Sequence, residues 1–338
     1  MGSEMCIRDR YMRKRVFSGA RPTGRQHIGN YLGAIQNYVS LQDEYDCIYC
    51  IVDIHALTTL QGRNDVSTLQ DNIREMALDW LAAGIDPERS AIFVQSHVPQ
   101  VMELHTLLSM TTPLNWLMRV PTFKEKIKMQ PQNVNYGLLG YPVLMTADII
   151  LYKAEVVPVG EDQLAHLELA REIVRRFNFL YGNIFPEPQA KLTLVPLILG
   201  LDGAQKMSKQ LNNEIELAAT PEETTRRIMT AYTDPARKYR SDPGHPEKCN
   251  VLSLHRAFHS AKLEEIESEC RSAAIGCVEC KKLLAQEINE ALAPLRDRRN
   301  ELASRPRYVK EVLEDGANRV RVIARDTIRE TREHMGLA

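Results

Sequence analysis

The stretch Ser18-Gly-Ala-Arg-Pro-Thr-Gly-Arg-Gln-His-Ile-Gly-Asn-Tyr-Leu-Gly33 decides the fold of the amino-terminal half of the chain. The residues before it, Arg13 to Phe17, predict a short β-strand, and His27 to Gln42 places apolar side chains at close to helical spacing. Glycines and a proline between the two segments indicate a tight turn. This order brings free backbone N–H groups and the positive end of a helix dipole to one point, which predicts a phosphate-binding site.

Two polar residues, His27 and Asn30, lie at the start of this predicted helix. They are three residues apart, so they share one face of the first turn, and both can donate hydrogen bonds to an anion or a ribose. An ordinary capped helix start is the alternative. A second stretch, Asp202-Gly-Ala-Gln-Lys-Met-Ser-Lys-Gln210, shifts the balance towards phosphate binding. Two lysines beside a serine in a glycine-led loop can surround a triphosphate, although a lysine pair is more often simply solvated.

Length and charge narrow the possible classes of protein. The chain has 338 residues and a formal net charge of −1, which predict about two domains and exclude a general polyanion binder. No apolar run reaches the roughly 18 residues of a membrane span, and no signal peptide is recognised. We therefore expect a cytoplasmic protein without membrane contact. Residues 1–12 show no hydrophobic periodicity, so we expect this leader to be disordered and exclude it from the fold.

Further strand patterns alternate with helical ones. Asp46 to His55 is predicted to be a buried parallel strand that brings its polar carboxyl end, with His55, to the ligand-binding edge of the sheet, and Ser90 to Ser96 is predicted to be a third strand. Cys47 and Cys50 have C-x-x-C spacing, but their thiols would point to opposite faces of a strand, which favours core cysteines over a metal pair. The alternation predicts an α/β fold with a doubly wound, mostly parallel sheet.

The segment from Gly137 to Gln163 carries an unusual helix face. Residues spaced four, three and four apart place two phenols, a thioether and a carboxylate together: Tyr141, Met145, Asp148 and Tyr152. A carboxylate among apolar neighbours is costly unless it is paired, and a ligand N–H donor such as an indole is one possible partner. The alternative is a carboxylate that is capped or ion-paired within the protein. The strand that follows, Val156 to Val159, ends in polar residues over the same crevice.

The last third of the chain reads as helical and contains four cysteines. Thr220, Pro221 and Glu223 predict a helix amino terminus, and almost no strand pattern follows it. The cysteines have the spacing C-x20-C-x6-C-x2-C, at Cys249, Cys270, Cys277 and Cys280. In a cytosolic chain this pattern favours an iron–sulfur cluster or zinc over disulfides, with unrelated buried thiols as the third alternative.

The sequences His27-Ile-Gly-Asn30 and Lys206-Met-Ser-Lys-Gln210 resemble the two signature motifs of class I aminoacyl-tRNA synthetases, usually written HIGH and KMSKS. Asn30 replaces the last histidine of the first motif, and Gln210 replaces the last serine of the second. The Met-x-x-Asp and Gly-Glu-Asp-Gln patterns around Asp148 resemble the tryptophanyl branch of this class. The resemblance covers residues 13–337. It implies a Rossmann-like catalytic domain at residues 13–218 and a helical anticodon-binding domain at residues 219–338.

The resemblance also implies an activity, formation of tryptophanyl-adenylate from ATP and L-tryptophan followed by transfer to tRNA(Trp), with Mg²⁺ as cofactor. The catalytic residues would be His27, Asn30, Lys206 and Lys209. The ATP-binding residues would be Gly19, Arg21, Pro22, Thr23, Gly29, Asn30, Gly160, Glu161, Asp162, Leu197, Lys206, Met207, Ser208, Lys209 and Gln210. The tryptophan-binding residues would be Phe17, His55, Tyr141, Met145, Asp148, Ile149, Val157, Val159 and Gln163. Lys124 and Lys126 resemble a segment of the family near the ATP phosphates.

The cysteine pattern resembles that of tryptophanyl-tRNA synthetases with a [4Fe–4S] cluster, with zinc as the alternative, and implies a structural role for Cys249, Cys270, Cys277 and Cys280. The family is homodimeric, which implies the same for this chain. Three other functions stay open at this point. They are a tyrosyl-type synthetase, a tRNA-independent adenylyl-transferring enzyme, and a non-catalytic paralogue that binds an iron–sulfur cluster or tRNA.

Overall fold

A computed structural model describes residues 13–120, 123–124, 127–128, 131–132, 134–192 and 198–337. Its centre is a sheet of five strands, all parallel to their neighbours, in the order β3-β2-β1-β4-β5. The strands are β1 (Arg15–Ala20), β2 (Asp46–Ile51), β3 (Ser90–Val94), β4 (Val156–Val159) and β5 (Gln189–Leu192). The predicted doubly wound parallel sheet is therefore confirmed.

The helices connect the strands and then form the carboxyl-terminal third. The first one begins at Ile28–Asn30, continues as a π-helical turn at Tyr31–Ile35 and ends with Gln36–Leu41; we call it α1. Those that follow, up to the last strand, are α2 (Asp53–Ala56), α3 (Arg63–Val66), α4 (Leu69–Ala83), α5 (Gln100–Ser109), α6 (Leu114–Arg119), α7 (Tyr136–Leu151) and α8 (Leu164–Tyr181). The remainder are α9 (Pro221–Met229), α10 (Asn250–Ala257), α11 (Leu263–Arg271), α12 (Cys277–Ala303) and α13 (Pro306–His334).

Several predicted boundaries move. The first strand starts at Arg15 and runs to Ala20, beyond the predicted end at Phe17. The second strand ends at Ile51, because the chain turns into the short helix α2 before His55. A strand was expected over residues 192–199, but β5 ends at Leu192 and residues 193–197 lie outside the described ranges.

The sheet order creates the site. Strand β1 is central, with β2 and β3 on one side and β4 and β5 on the other, so successive connections leave β1 in opposite directions. In open α/β sheets this reversal opens a crevice at the carboxyl ends of the strands, where ligands bind. The turn that follows Ala20 and the polar residues that follow Val159 both lie at that edge.

The core lies on both faces of the sheet. Cys47 belongs to the apolar cluster on one face and Cys50 to the cluster on the other, and both side chains are buried. The prediction that their thiols point apart into the core is confirmed. Burial raises the pKa of the Cys47 thiol to about 11, so it stays protonated and inert.

The last helix, α13, returns to the sheet. It packs along the edge strand β3 and contributes side chains to the clusters on both faces. Gly316 marks the closest approach, since a Cβ there would lie 2.0 Å from the carbonyl oxygen of Ile92. Arg319 donates hydrogen bonds to the carbonyls of Pro87 and Ser90. A helix that covers an edge strand removes an aggregation-prone surface, and here it also ties the carboxyl-terminal region to the parallel sheet.

Candidate active site

His27 and Asn30 form a reciprocal cap at the start of α1. The backbone N–H of Asn30 donates to His27 Nδ1 at 3.3 Å, and the backbone N–H of His27 donates to Asn30 Oδ1 at 3.0 Å. Burial, with a smaller contribution from the Lys206 charge, lowers the pKa of His27 to about 4. The imidazole is therefore neutral at pH 7. Because Nδ1 accepts a hydrogen bond, its proton is on Nε2, which leaves one ring N–H for a ligand.

The two signature stretches, far apart in sequence, are in contact. The segment just after the second stretch pairs with the first: Ile28 N donates to the carbonyl of Ile215 at 3.0 Å, and Leu217 N donates to the carbonyl of Gln26 at 2.9 Å. A Cβ on Gly29 would lie 3.0 Å from the His27 ring and 3.3 Å from Met207 Cβ. Only a glycine lets the helix start, the imidazole and the second loop approach this closely.

The second loop buries its methionine and exposes its lysines. Met207 is 2% exposed, whereas Lys206 and Lys209 are exposed. Ser208 is half-buried, and Gln210 is exposed within a short turn, Lys209–Leu211. The methionine thus anchors the loop. Lys209 lies against Gly24 of the turn after β1, where a Cβ would be 3.0 Å from Lys209 Cδ, and Lys206 is close enough to His27 for its charge to act on the imidazole.

Asn213 and Asp202 hold the loop in shape, a role that the sequence patterns did not reveal. The Ser208 backbone N–H donates to Asn213 Oδ1 at 2.7 Å, and Asn213 Nδ2 donates to Asp202 Oδ2 at 2.8 Å. The other Asp202 oxygen accepts from Ala204 N at 3.1 Å. The sequence feature that could have indicated this role is the pair Asp202-Gly203, because an Asp-Gly pair is typical of a tight turn.

The residues expected around the nucleotide lie on the two loops at the switch point. Gly19, the next-to-last residue of β1, lies beside Val52, while Arg21 and Thr23 are exposed in the turn and Pro22 is buried. Gly160 to Asp162 follows β4, the direct neighbour of β1. Lys124 is exposed. Lys126 and Leu197 fall outside the described residues, so their predicted contacts stay predictions.

The apolar residues expected around the indole share one cluster. Phe17 from β1, Ile149 from α7, and Val157 and Val159 from β4 are all buried in it, with Met145 packed against it. The Phe17 ring stacks on Tyr152 with 5.6 Å between ring centroids. Residues from three elements, β1, α7 and β4, thus belong to one apolar cluster.

Polar residues complete this side of the crevice. The Tyr141 hydroxyl lies 2.6 Å from Nε2 of His166, a buried histidine that the sequence patterns did not single out. Gln163 Nε2 donates to Asp162 Oδ2 at 2.8 Å, which ties an expected amino-acid ligand to an expected nucleotide ligand. This hydrogen bond links a residue expected to bind the amino acid with one expected to bind the nucleotide, just after the end of β4.

Asp148 is 2% exposed and is paired within the chain. Its Oδ2 atom lies 2.8 Å from His55 Nε2, and Gln95 Nε2 lies 2.8 Å from each carboxylate oxygen. The prediction that a buried carboxylate needs a partner is confirmed, and two partners come from the chain itself. Gln95 was missed, although it lies near the end of the predicted strand Ser90 to Ser96; in the structure it directly follows β3.

The four cysteines of the helical region converge. Cys249, Cys270, Cys277 and Cys280 line one small cavity together with Arg237, whose Nη1 lies 3.9 Å from Cys277 Sγ and 4.0 Å from Cys270 Sγ. Burial raises the pKa of the Cys280 thiol to about 12. Within the described ranges, no three histidine, cysteine, aspartate or glutamate side chains are arranged to hold a single metal ion.

None of the helices in the described part of the chain is both long and apolar enough to cross a membrane.

A sequence model of the family described as tRNA synthetases class I (W and Y) matches residues 11–293. The tryptophan–tRNA ligase of Thermotoga maritima is 47% identical over 96% of this chain and 99% of its own length. That of Aquifex aeolicus is 40% identical over 96% of this chain and its full length.

A solved structure has the same architecture. The tryptophanyl-tRNA synthetase of Campylobacter jejuni, crystallised with ADP and tryptophan, superimposes with a TM-score of 0.86 at 34% identity, covering 96% of this chain and all of that one. Fold, paired motif loops and full-length similarity agree. The chain therefore belongs to the tryptophanyl-tRNA synthetases of class I and is a tryptophan–tRNA ligase.

Proposed function

We propose that the two halves of the crevice divide the activation of tryptophan by ATP between them. The substrate carboxylate attacks the α-phosphorus of ATP and pyrophosphate leaves, so no side chain need act as a covalent nucleophile. Catalysis then consists of positioning the two substrates and stabilising negative charge. Transfer of the tryptophanyl group to the acceptor end of tRNA(Trp) follows.

His27, Asn30, Lys206 and Lys209 serve the phosphates. The neutral His27 donates from Nε2, and the two lysines neutralise the leaving pyrophosphate together with Mg²⁺ that accompanies ATP. The contact between the two motif loops carries this proposal, because it brings a helix amino terminus and two exposed ammonium groups to one crevice. Nucleotide contacts come from Gly19, Arg21, Pro22, Thr23, Gly29, Gly160, Glu161, Asp162, Leu197, Met207, Ser208 and Gln210, with Lys124 and Lys126 as further phosphate contacts.

Asp148 accepts the indole N–H within the apolar wall formed by Phe17, Met145, Ile149, Val157 and Val159. His55 supports the carboxylate, and Tyr141 and Gln163 hold the amino-acid head group. A buried carboxylate that keeps acceptor capacity suits an indole, which offers only a donor. Pyrophosphate exchange tests the division: it should depend on L-tryptophan, proceed far more slowly with L-tyrosine, and survive Lys310→Ala, an exposed lysine on α13. Equal exchange with both amino acids would contradict the pocket assignment.

We further propose that Cys249, Cys270, Cys277 and Cys280 hold a [4Fe–4S] cluster with a structural role. Four thiols around one cavity supply the ligand set of such a cluster, and the nearby Arg237 guanidinium would offset its negative charge. A tetrahedral zinc site gathers its sulfurs tightly around bonds of about 2.3 Å.

Metal analysis after anaerobic purification decides between the groups. About four iron and four sulfide per chain are expected, and the Cys277→Ser variant should lose both. About one zinc without sulfide would replace the cluster with a single ion, and no metal at all would contradict a metal role for the cysteines.

The helical region from residue 219 onwards is proposed to bind the tRNA anticodon, and the chain to act as a cytoplasmic homodimer. An exposed apolar patch supports a second copy as partner. Met110, which directly follows α5, is 73% exposed, and Leu114 and Met118 of α6 are 60% and 54% exposed. Patches of this kind mark protein interfaces. The molar mass in solution tests the proposal, with Met110→Glu expected to shift the protein towards the monomer.

A further inference from the structure

Gln95 is a buried amide beneath the tryptophan side of the crevice. It follows β3 directly, in a short 3-10 turn, Gln95–His97, and its side chain has no solvent exposure. Its neighbours come from α2, the short helix after β2, and from α7. A primary amide buried among these elements needs partners for both its oxygen and its nitrogen.

The backbone fixes the orientation of this amide. Gln95 Oε1 accepts hydrogen bonds from the backbone N–H groups of Ile54 at 3.1 Å and His55 at 3.3 Å. The reversed orientation would place the NH2 group against two N–H donors, which is repulsive. Gln95 therefore presents its nitrogen to Asp148, 2.8 Å from each carboxylate oxygen.

The orientation has a consequence for Asp148. An NH2 group held over both oxygens donates to each of them and thereby fixes the plane of the carboxylate. His55 Nε2 adds a second contact at 2.8 Å on Oδ2. Two ionised oxygens offer about four acceptor positions, so capacity remains for one donor from a ligand.

We infer that Gln95 is a positioning residue for tryptophan recognition, which holds the Asp148 carboxylate in one orientation as an acceptor. The inference rests on the proposed role of Asp148 as the partner of the indole N–H. Gln95 itself does not touch the substrate. Its effect is transmitted through one carboxylate and should appear in tryptophan affinity rather than in ATP use.

The Gln95→Glu variant tests this inference with almost no change in shape. At neutral pH the new carboxylate faces Asp148, and like charges at this distance oppose ionisation of both. We expect tryptophan to bind at least about tenfold more weakly at pH 8, with an unchanged KM for ATP. The loss should shrink as the pH falls towards about 6, because the introduced carboxyl group, once protonated, donates as the amide did.

The matched control is Gln286→Glu. Gln286 is an exposed glutamine on α12 that donates to the Glu290 carboxylate at 2.8 Å, so the same chemical change is made away from the crevice. Its tryptophan affinity should equal that of the wild type at every pH. If Gln95→Glu folds poorly, Gln95→Met removes the donor without adding charge and should weaken tryptophan binding several-fold.

The outcomes are distinguishable. Wild-type tryptophan affinity of Gln95→Glu across this pH range would overturn the inference, and so would a pH-independent loss that affects ATP equally. Asp148→Asn serves as the reference variant for the pocket itself. If that variant also binds tryptophan like the wild type, the proposed role of Asp148 fails, whereas impaired binding by Asp148→Asn alone rejects only the role of Gln95.

Discussion

The proposed phosphate side and the proposed amino-acid side of the crevice are built in opposite ways. On the phosphate side the charges are exposed: Lys206 and Lys209 project from a loop that Met207 anchors and Asn213 shapes. On the amino-acid side the charge is buried: Asp148 is enclosed by apolar side chains and held by His55 and Gln95. The first arrangement suits a highly charged ligand with changing geometry, and the second suits one small donor in a fixed place.

The difference has a physical origin. Triphosphate carries several charges that must be neutralised as a bond breaks, so mobile point charges on a loop are effective. An indole N–H offers one hydrogen bond. The site can discriminate against other amino acids because a ligand without that N–H leaves the buried acceptor unpaired. Variants on the two sides should therefore fail in different kinetic parameters.

The largest expected effect is on the phosphate side. Lys206→Ala should lower the rate of tryptophan activation by about 10² to 10³, because the charge that it supplies acts mainly in the transition state. The affinity for tryptophan should change little. Pre-steady-state adenylate formation measures the rate, and Lys310→Ala is the surface control. An equal loss of rate and tryptophan affinity would contradict a transition-state role.

A second effect concerns the stability of the helix start. His27 has a pKa of about 4 in the folded protein, against 6.5 for an ordinary histidine. Between these two pKa values the unfolded chain is protonated at His27 and the folded chain is not. The free energy of unfolding therefore has its full value above pH 6.5 and decreases as the pH falls towards 4. The loss approaches about 3 kcal/mol.

Urea unfolding at pH 7 and pH 4.5 measures this effect. His27→Asn keeps a favourable cap residue but has no titrating ring. Between pH 7 and pH 4.5, the free energy of unfolding of the wild type should decrease relative to that of this variant by most of the predicted amount, about 3 kcal/mol. An identical pH dependence of the two proteins would show that His27 titrates normally.

The third effect is on the amino-acid side. Asp148→Ala removes the acceptor for the indole and should weaken tryptophan binding by about 10- to 100-fold. ATP binding should persist, because its ligands lie on other loops. Isothermal titration with each ligand checks both statements. Wild-type affinity for tryptophan in this variant would reject the pocket.

The sequence alone predicted the local geometry of the two motif segments more completely than the surroundings of Asp148. His27, Asn30 and the two lysines lie in short stretches, where local spacing and turn chemistry reveal their geometry. The burial cost of Asp148 was also foreseeable from its apolar neighbours. Its partners were not, because Gln95 lies 53 residues away and His55 lies 93 residues away along the chain.

The helical region shows the same limit. The cap at Thr220 was predicted from residues three apart, and the structure confirms it, with the side chain accepting from Glu223 N. The return of α13 to β3 was not predicted. Helical periodicity tells which face is buried but not which element covers it. The division at residue 219 stays a prediction, and α13 shares the core of the sheet.

The most direct test of this account measures pyrophosphate exchange by Lys206→Ala and Asp148→Ala side by side, over a range of tryptophan concentrations. The account predicts opposite signatures. Lys206→Ala should lose kcat with a nearly unchanged KM for tryptophan, and Asp148→Ala should gain a much larger KM for tryptophan at a similar KM for ATP. If both variants lose the same parameter to the same extent, the two sides of the crevice do not divide the work as proposed.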